Sequence, residues 1–171
     1  MNEQALARQL AGVLRSRRLT VATAESCTGG LVAYRIVMVA GSSEYYLGGV
    51  VAYSNALKET FLSVPRGTLE VYGAVSRETA LAMARGIRAE CGADVGISTT
   101  GIAGPTGGTP VKPVGLVYIA CVTSEGEACE EHHFSGGRLE NIDRSANAAL
   151  SLAIRLLTEG TPSGHDPVPR G

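Results

Sequence analysis

Leu6, Leu10, Val13 and Leu14 recur at helical spacing and predict a first helix ending near Arg17. The pattern then changes to LTVATA (19–24), a β-branched run that reads as a buried strand. AESCTGG (24–30) follows. LVAYRIVMV (31–39) is apolar nearly all round, and its place between a glycine turn and AGSS predicts a short helix. GGVVAYS (48–54) is a second strand, after which Ser54 or Asn55 caps a helix running to Leu62, stopped by Val64 and Pro65. Residues Arg66 to Gly73 read as a connection. The clearest helix lies within GAVSRETALAMARGIRAECG, with Ser76 as N-cap, Glu78 in the first turn, Ala80, Met83, Ala84 and Ile87 as the buried face and Gly92 as the stop. ADVGISTT supplies a third strand.

TGIAGPTGGTPVKPVG holds five glycines and three prolines in sixteen residues, which no regular element tolerates, so it reads as a long loop. Long loops inside compact domains are usually functional. VGLVYIACV and EACEEHHF, joined by Thr123 to Gly126, predict an antiparallel hairpin. From Arg138 to Thr158, apolar positions at Leu139, Ile142, Ala146, Ala149, Leu150, Ala153 and Leu157 predict a long final helix. Residues 1–160 therefore form one domain, and the tail TPSGHDPVPRG (161–171) is expected to be disordered.

Helices alternating with strands and one late hairpin imply a three-layer α/β/α sandwich with a mixed, mostly parallel sheet of about five strands. Ligands of such sheets collect beyond the carboxyl ends of the parallel strands. AESCTGG, YSNALK and TTGIAGP each follow a predicted strand directly.

Composition narrows the partners. The chain has 171 residues, 44% hydrophobic content and a net charge of −1, from 15 Lys and Arg against 16 Asp and Glu, with no basic block of the kind a nucleic-acid binder presents. No apolar stretch approaches the ~18 residues of a membrane span, and MNEQALARQL opens as an amphipathic helix without a signal-peptide pattern. A cytoplasmic location is expected. Cys27, Cys91, Cys121 and Cys129 lack paired C-x-x-C spacing. Cys121 and Cys129 flank a turn and could face each other, but thiols are expected in a reducing compartment. No His, Asp and Glu set has metal-site spacing, so no metal and no cofactor are expected.

Ser26 lies at a strand-to-helix turn, where the following N–H groups face any oxyanion that forms. From spacing alone, Ser26 or Thr28 could equally be a helix cap. The turn is not the G-x-S-x-G elbow of α/β-hydrolases. A nucleophilic serine needs a base, and the three histidines are badly placed: His165 is in the tail, while His132 and His133 are adjacent on an edge strand and point to opposite faces. A lysine can serve if its pKa is lowered. Lys58 falls in the first turn of its helix, where the macrodipole disfavours a cation, although a solvated surface lysine fits the same pattern. The glycine loop 101–108, with Thr99, Thr100 and Lys112, could cradle a phosphate or be a crowded surface loop; it is neither a P-loop nor a dinucleotide fingerprint. Arg138 and Arg144 open the last helix, where carboxylates are the norm, and are further anion candidates or an exposed helix face.

Taken together, TVATAESCTGGLVA, AGSS, GGVVAYSNALK, GAVSRETALAMARG and TTGIAGPTGGTPVKPVGLVYIA, in this order over residues 20–120, closely resemble the CinA C-terminal domain family. That family includes stand-alone nicotinamide mononucleotide deamidases of the PncC type. The resemblance implies an α/β/α fold and a bacterial, cytoplasmic amidohydrolase that converts nicotinamide mononucleotide and water to nicotinic acid mononucleotide and ammonia, in pyridine nucleotide salvage. It implies catalytic roles for Ser26, Lys58 and Thr100. Substrate contacts are implied at Thr28, Gly29, Gly30, Tyr53, Asn55, Gly101, Gly104, Gly107, Gly108, Lys112, Arg138 and Arg144. Cys27 is assigned to packing. Where the family tends to read F-x-G-x-R-x-x-[IV]-R, FSGGRLENIDR carries one more residue before Ile142 and places Asp143 at the second arginine.

Two rival readings are a catalytically silent nucleotide-binding or interaction module, and an amidase or esterase for another phosphorylated or nucleoside substrate. A homo-oligomer is expected, with a dimer favoured through an apolar hairpin edge.

Overall fold

In the computed structural model, which describes residues 3–160, five strands form one sheet in the order β2-β1-β3-β4-β5. These are β1 (Val21–Glu25), β2 (Tyr46–Val51), β3 (Val95–Gly101), β4 (Leu116–Val122) and β5 (Glu127–His133). β1 pairs in parallel with both β2 and β3, while β3–β4 and β4–β5 are antiparallel, so only β4 runs against the others. The helices are α1 (Glu3–Arg17), α2 (Leu31–Val37), α3 (Asn55–Leu62), α4 (Arg66–Tyr72), α5 (Arg77–Cys91) and α6 (Arg138–Glu159).

Alternation along the strands divides the core between two faces. Val21, Ile97, Val117, Ile119 and Cys121 pack with α1, α2 and α6 on one face. Ala22, Ala24, Ala120 and Val122 face α3, α4 and α5 on the other. The expected three layers are present. β1 leads into α2 on the first face and its neighbour β2 leads into α3 on the second, so the chain leaves adjacent strand ends in opposite directions and opens a crevice there.

The structure corrects several expectations. Residues 66–72 are helix α4 rather than a connection: Pro65 accepts from Thr68 N–H and Leu69 N–H, and Leu69 alone is buried. Seven residues with one core position leave no periodicity to read. β2 begins at Tyr46 and ends at Val51, with a register shift opposite Val21 and Ala22. Cys121 and Cys129 do not face each other, because Cys121 pairs with Ala128 and Cys129 with Ala120; the two thiols lie on opposite faces of the sheet. Leu139 is 81% exposed, and the buried place in that turn of α6 goes to Asn141.

The hairpin edge is charged rather than apolar: Glu127 pairs with Arg85, and Glu130 with Arg155 and His132. The apolar edge is β2, where Leu47 and Val51 are exposed, near Tyr34 of α2 and Phe61 of α3. His132 and His133 lie on the edge strand β5 as expected, paired with Glu130 and Glu131. The tail, including His165, lies outside the described residues.

α3 is held against α5 by backbone contact: a Cβ on Gly86 would come 1.8 Å from the Leu62 carbonyl oxygen. Ser63, in the left-handed conformation, caps α3. Gly86→Ala should therefore lower stability by about 1–3 kcal/mol through overpacking, although helix propensity alone would favour alanine by ~1 kcal/mol. A lower urea midpoint would bear this out; a raised one would show that α3 is not seated on α5.

Candidate active site

β1 ends at Glu25, and the parallel register with Thr99 continues one residue further, as the Ser26 N–H donates to the Thr99 carbonyl at 3.0 Å. Glu25 and Thr99 turn toward α2. Ser26 and Thr100 fall on the opposite side by alternation. There the Lys58 Nζ, from the first turn of α3, lies 3.1 Å from Ser26 Oγ. Ser54 is the N-cap of that helix, accepting from the Leu57 N–H, which fixes the turn that carries Lys58 inward.

Lys58 is 1% exposed and Ser26 8%. Nζ also donates to the carbonyls of Ala52 at 2.8 Å and Tyr53 at 3.5 Å. Burial pulls the Lys58 ammonium below its ordinary value, with the neighbouring Cys27 acting in the opposite direction. In the neutral amine, two N–H groups suit the two carbonyls, and the lone pair is left for the Ser26 hydroxyl. The contact between Ser26 and Lys58 has the geometry that a serine nucleophile and a lysine base would need. Cys27, one residue on, is excluded as a competing nucleophile: burial pushes its thiol up to about 12.

The expected site residues divide into two groups. Thr100 is buried at the end of β3 and donates to the Ala74 carbonyl at 2.6 Å, leaving its oxygen able to accept. Tyr53 is 61% exposed at the crevice mouth, and its hydroxyl accepts from Arg138 Nη2 at 3.1 Å. Arg138 Nη1 donates to the Gly104 carbonyl at 2.8 Å, so one guanidinium links the β2–α3 loop to the glycine loop. Asn55 is exposed in the first turn of α3. Gly104 and Gly108 fold back onto Val114, at distances a side chain would not allow, while Gly101 packs against Val117 and Gly107 turns at positive φ. These residues shape the loop beside Arg138.

Other candidates point elsewhere. The Thr28 hydroxyl is buried between Glu25 and Thr99, and Gly29 and Gly30 form the left-handed turn into α2. Lys112 donates to the Tyr72 carbonyl at 2.6 Å, tying the loop to the end of α4. Arg144 pairs with Glu140 on the exposed side of α6. Asp143, which stands at the family's second arginine, pairs with Arg35, a guanidinium only 2% exposed that also reaches Glu3 and Asn147. Arg35 thereby ties α1, α2 and α6 together. A cavity of about 430 Å³ lies beside β5 and α6 and shares no residue with this site.

Comparison with known proteins places the chain in a family. The profile described as CinA C-terminal domain matches residues 3–157. The chain belongs to the CinA C-terminal domain family. It is 48% identical over 149 residues to a CinA-like protein of Salinibacter ruber and 53% identical over 157 residues to one of Citrifermentans bemidjiense. Those matches cover 87% and 91% of the chain but only 36% and 38% of the relatives, so the chain spans little more than a third of their length. The crystal structure of the competence/damage inducible protein CihA from Agrobacterium tumefaciens is 41% identical, with a TM-score of 0.88 over 90% of this chain and 94% of that one. A CinA superfamily protein from Escherichia coli is 32% identical, with a TM-score of 0.88 over 91% and 90%.

Two buried residues carry weight in this CinA-type site without having been expected there. Glu25 is a lone carboxylate after an uncharged run, and burial of such a group always requires donors. Asn141, 0% exposed, donates to the Ala103 carbonyl and accepts from the Gly136 N–H, both at 3.0 Å, pinning the loop to α6. Asn141→Ala would strand both groups, at about 1–3 kcal/mol. Faster hydrogen exchange in residues 101–108 is the expected result, and unchanged exchange would show the loop to be held by other contacts.

Proposed function

We propose that this chain is an amidohydrolase that converts nicotinamide mononucleotide to nicotinic acid mononucleotide and ammonia through an acyl-enzyme on Ser26. The observation that carries this reading is the buried Lys58 amine 3.1 Å from the Ser26 hydroxyl at the ends of β1 and β2. Family membership supports it. Lys58 takes the Ser26 proton as Oγ attacks the carboxamide carbon. The oxyanion lies against the turn after Ser26, and collapse of the tetrahedral species transfers the proton from Lys58 to departing ammonia. Water then attacks the ester with Lys58 again as base, releasing the carboxylate product and the serine hydroxyl.

Thr100 borders the same strand ends and orients the carboxamide. Arg138 has donors beyond those used by Gly104 and Tyr53, and receives the phosphate beside the glycine loop. The absorption of Asp143 by Arg35 favours an active enzyme over a silent binding module, since the departure from the family pattern leaves Arg138 in place.

Ser26→Ala and Lys58→Met should each reduce ammonia release from nicotinamide mononucleotide by at least ~10³-fold, in the range expected for loss of a covalent nucleophile and its base. Full turnover in either variant would sink the assignment. Because Lys58 must be neutral to accept a proton and burial lowers its pKa, kcat/KM should rise with pH through a single ionisation lying below the ordinary lysine value of 10.5. An acid limb that persists unshifted in a residually active Lys58 variant would assign that ionisation to another group. Arg138→Ala should lower kcat/KM more for the mononucleotide than for the riboside; equal losses would remove the phosphate from Arg138.

A further inference from the structure

Glu25 is 2% exposed and makes no salt bridge among the described residues. Its Oε2 accepts from the Thr28 hydroxyl at 2.5 Å and from the N–H groups of Gly30 and Val32 at 3.0 Å, and its Oε1 accepts from the Ala33 N–H at 2.8 Å. Every partner is a donor, so the group they fit is the carboxylate. α2 has no side-chain cap from its own N-cap residue, Gly30. The cap comes instead from the strand before the turn. Thr28 extends the network to Thr99 on β3 at 2.7 Å.

The remaining amides of the turn can be accounted for one by one. Ser26 N–H donates to Thr99, Gly29 N–H to Ser26, Leu31 N–H to Thr28 and Tyr34 N–H to Gly30. Gly30, Val32 and Ala33 are taken by Glu25. Among these residues the N–H groups of Cys27 and Thr28 donate to no other residue, the Cys27 amide meeting only its own thiol, and they directly follow Ser26.

We infer that Glu25 is the positioning residue of the Ser26 turn: it consumes the amides that open α2, thereby leaving those of Cys27 and Thr28 for the oxyanion. The inference rests on the reaction proposed above. Glu25 touches neither substrate nor reacting atoms. Its effect is geometric and should appear in kcat, because the oxyanion forms only after binding.

The test is Glu25→Gln in the full chain, with Thr28→Val as a second variant that keeps the carboxylate and removes its link to Thr99. Two rates are compared with wild type: turnover of nicotinamide mononucleotide, and mass-detected modification of Ser26 by a small fluorophosphonate, which releases fluoride and needs no nucleotide recognition. For Glu25→Gln, kcat should fall on the order of 10²-fold, as for a misplaced reacting group, with KM changed less than ~3-fold; Ser26 labelling should slow in parallel. Thr28→Val should show a smaller loss with the same split. Unchanged kcat and labelling in folded Glu25→Gln, or a loss confined to KM, would overturn the inference. If Glu25→Gln does not fold, Thr28→Val decides by the same criteria. Wild-type protein labelled at Ser26 but inert toward the mononucleotide would remove the proposed substrate, leaving the labelling ratio to judge Glu25. A folded wild type that does neither would remove both.

Discussion

A lysine amine with 1% exposure must either find compensating partners or give up its charge, and the architecture around Lys58 determines which. Two carbonyls from the end of β2 and one serine hydroxyl from the end of β1 are its neighbours, and no carboxylate bonds to it. Without a counter-ion, burial dominates and favours the neutral amine. That state depends on α3 entering the domain immediately after β2, on the Ser54 cap, and on the close seating of Leu62 against Gly86 that keeps the helix from drifting outward. The crevice where neighbouring strands send their chains to opposite faces therefore does more than leave room for a ligand. It places a side chain from one layer against a turn that belongs to the other.

Glu25 and Lys58 lie on opposite sides of Ser26 and have opposite electrostatic solutions. Glu25 turns into the α2 layer and is surrounded by donors; Lys58 comes from the α3 side and meets two carbonyls and a hydroxyl, with no carboxylate to balance a charge. In the proposed reaction, one group sets the backbone of Ser26 and the other manages its proton. Separation by the sheet plane keeps them from neutralising each other as an ion pair, which would hold Lys58 protonated and spoil it as a base. The strand alternation that divides the hydrophobic core into two faces thus also divides the chemistry.

Much of this was readable from sequence because periodicity, caps and glycine clusters are local signals. Ser76 and Gly92 bound α5 as expected, and Ala80, Met83, Ala84 and Ile87 form its buried face. The crevice followed from three motifs that each succeed a strand. What was not legible depends on partners distant in the chain. α4 carries one buried residue and no pattern, so its helicity is settled by tertiary contact. Thr28 and Lys112 look like ligand contacts in a motif, yet their partners are Glu25, Thr99 and the Tyr72 carbonyl. The hairpin register that separates Cys121 from Cys129 turns on a single residue. Yet Glu25 and Arg35 share a trait visible in the sequence: each is a charge set in or beside an apolar run, and each is buried.

That trait also bears on substrate orientation. Arg35 is engaged by Glu3, Asp143 and Asn147, and Lys112 and Arg144 are directed to Tyr72 and Glu140. Lys58 is needed neutral. Of the cationic side chains expected to meet substrate, this leaves Arg138, whose two recorded bonds go to the Gly104 carbonyl and the Tyr53 hydroxyl, neither of them an anion. An incoming phosphate would form a charge-assisted bond there, stronger than the neutral ones it joins. Because Tyr53 belongs to the same loop whose carbonyl accepts from Lys58, occupancy at Arg138 and the setting of the base are connected through one short segment, Ala52 to Ser54. That link is made by the bond between Arg138 and Tyr53 itself and stands before any phosphate arrives, so a substrate lacking the phosphate loses the anchor while the segment that orients Lys58 keeps its far-side contact.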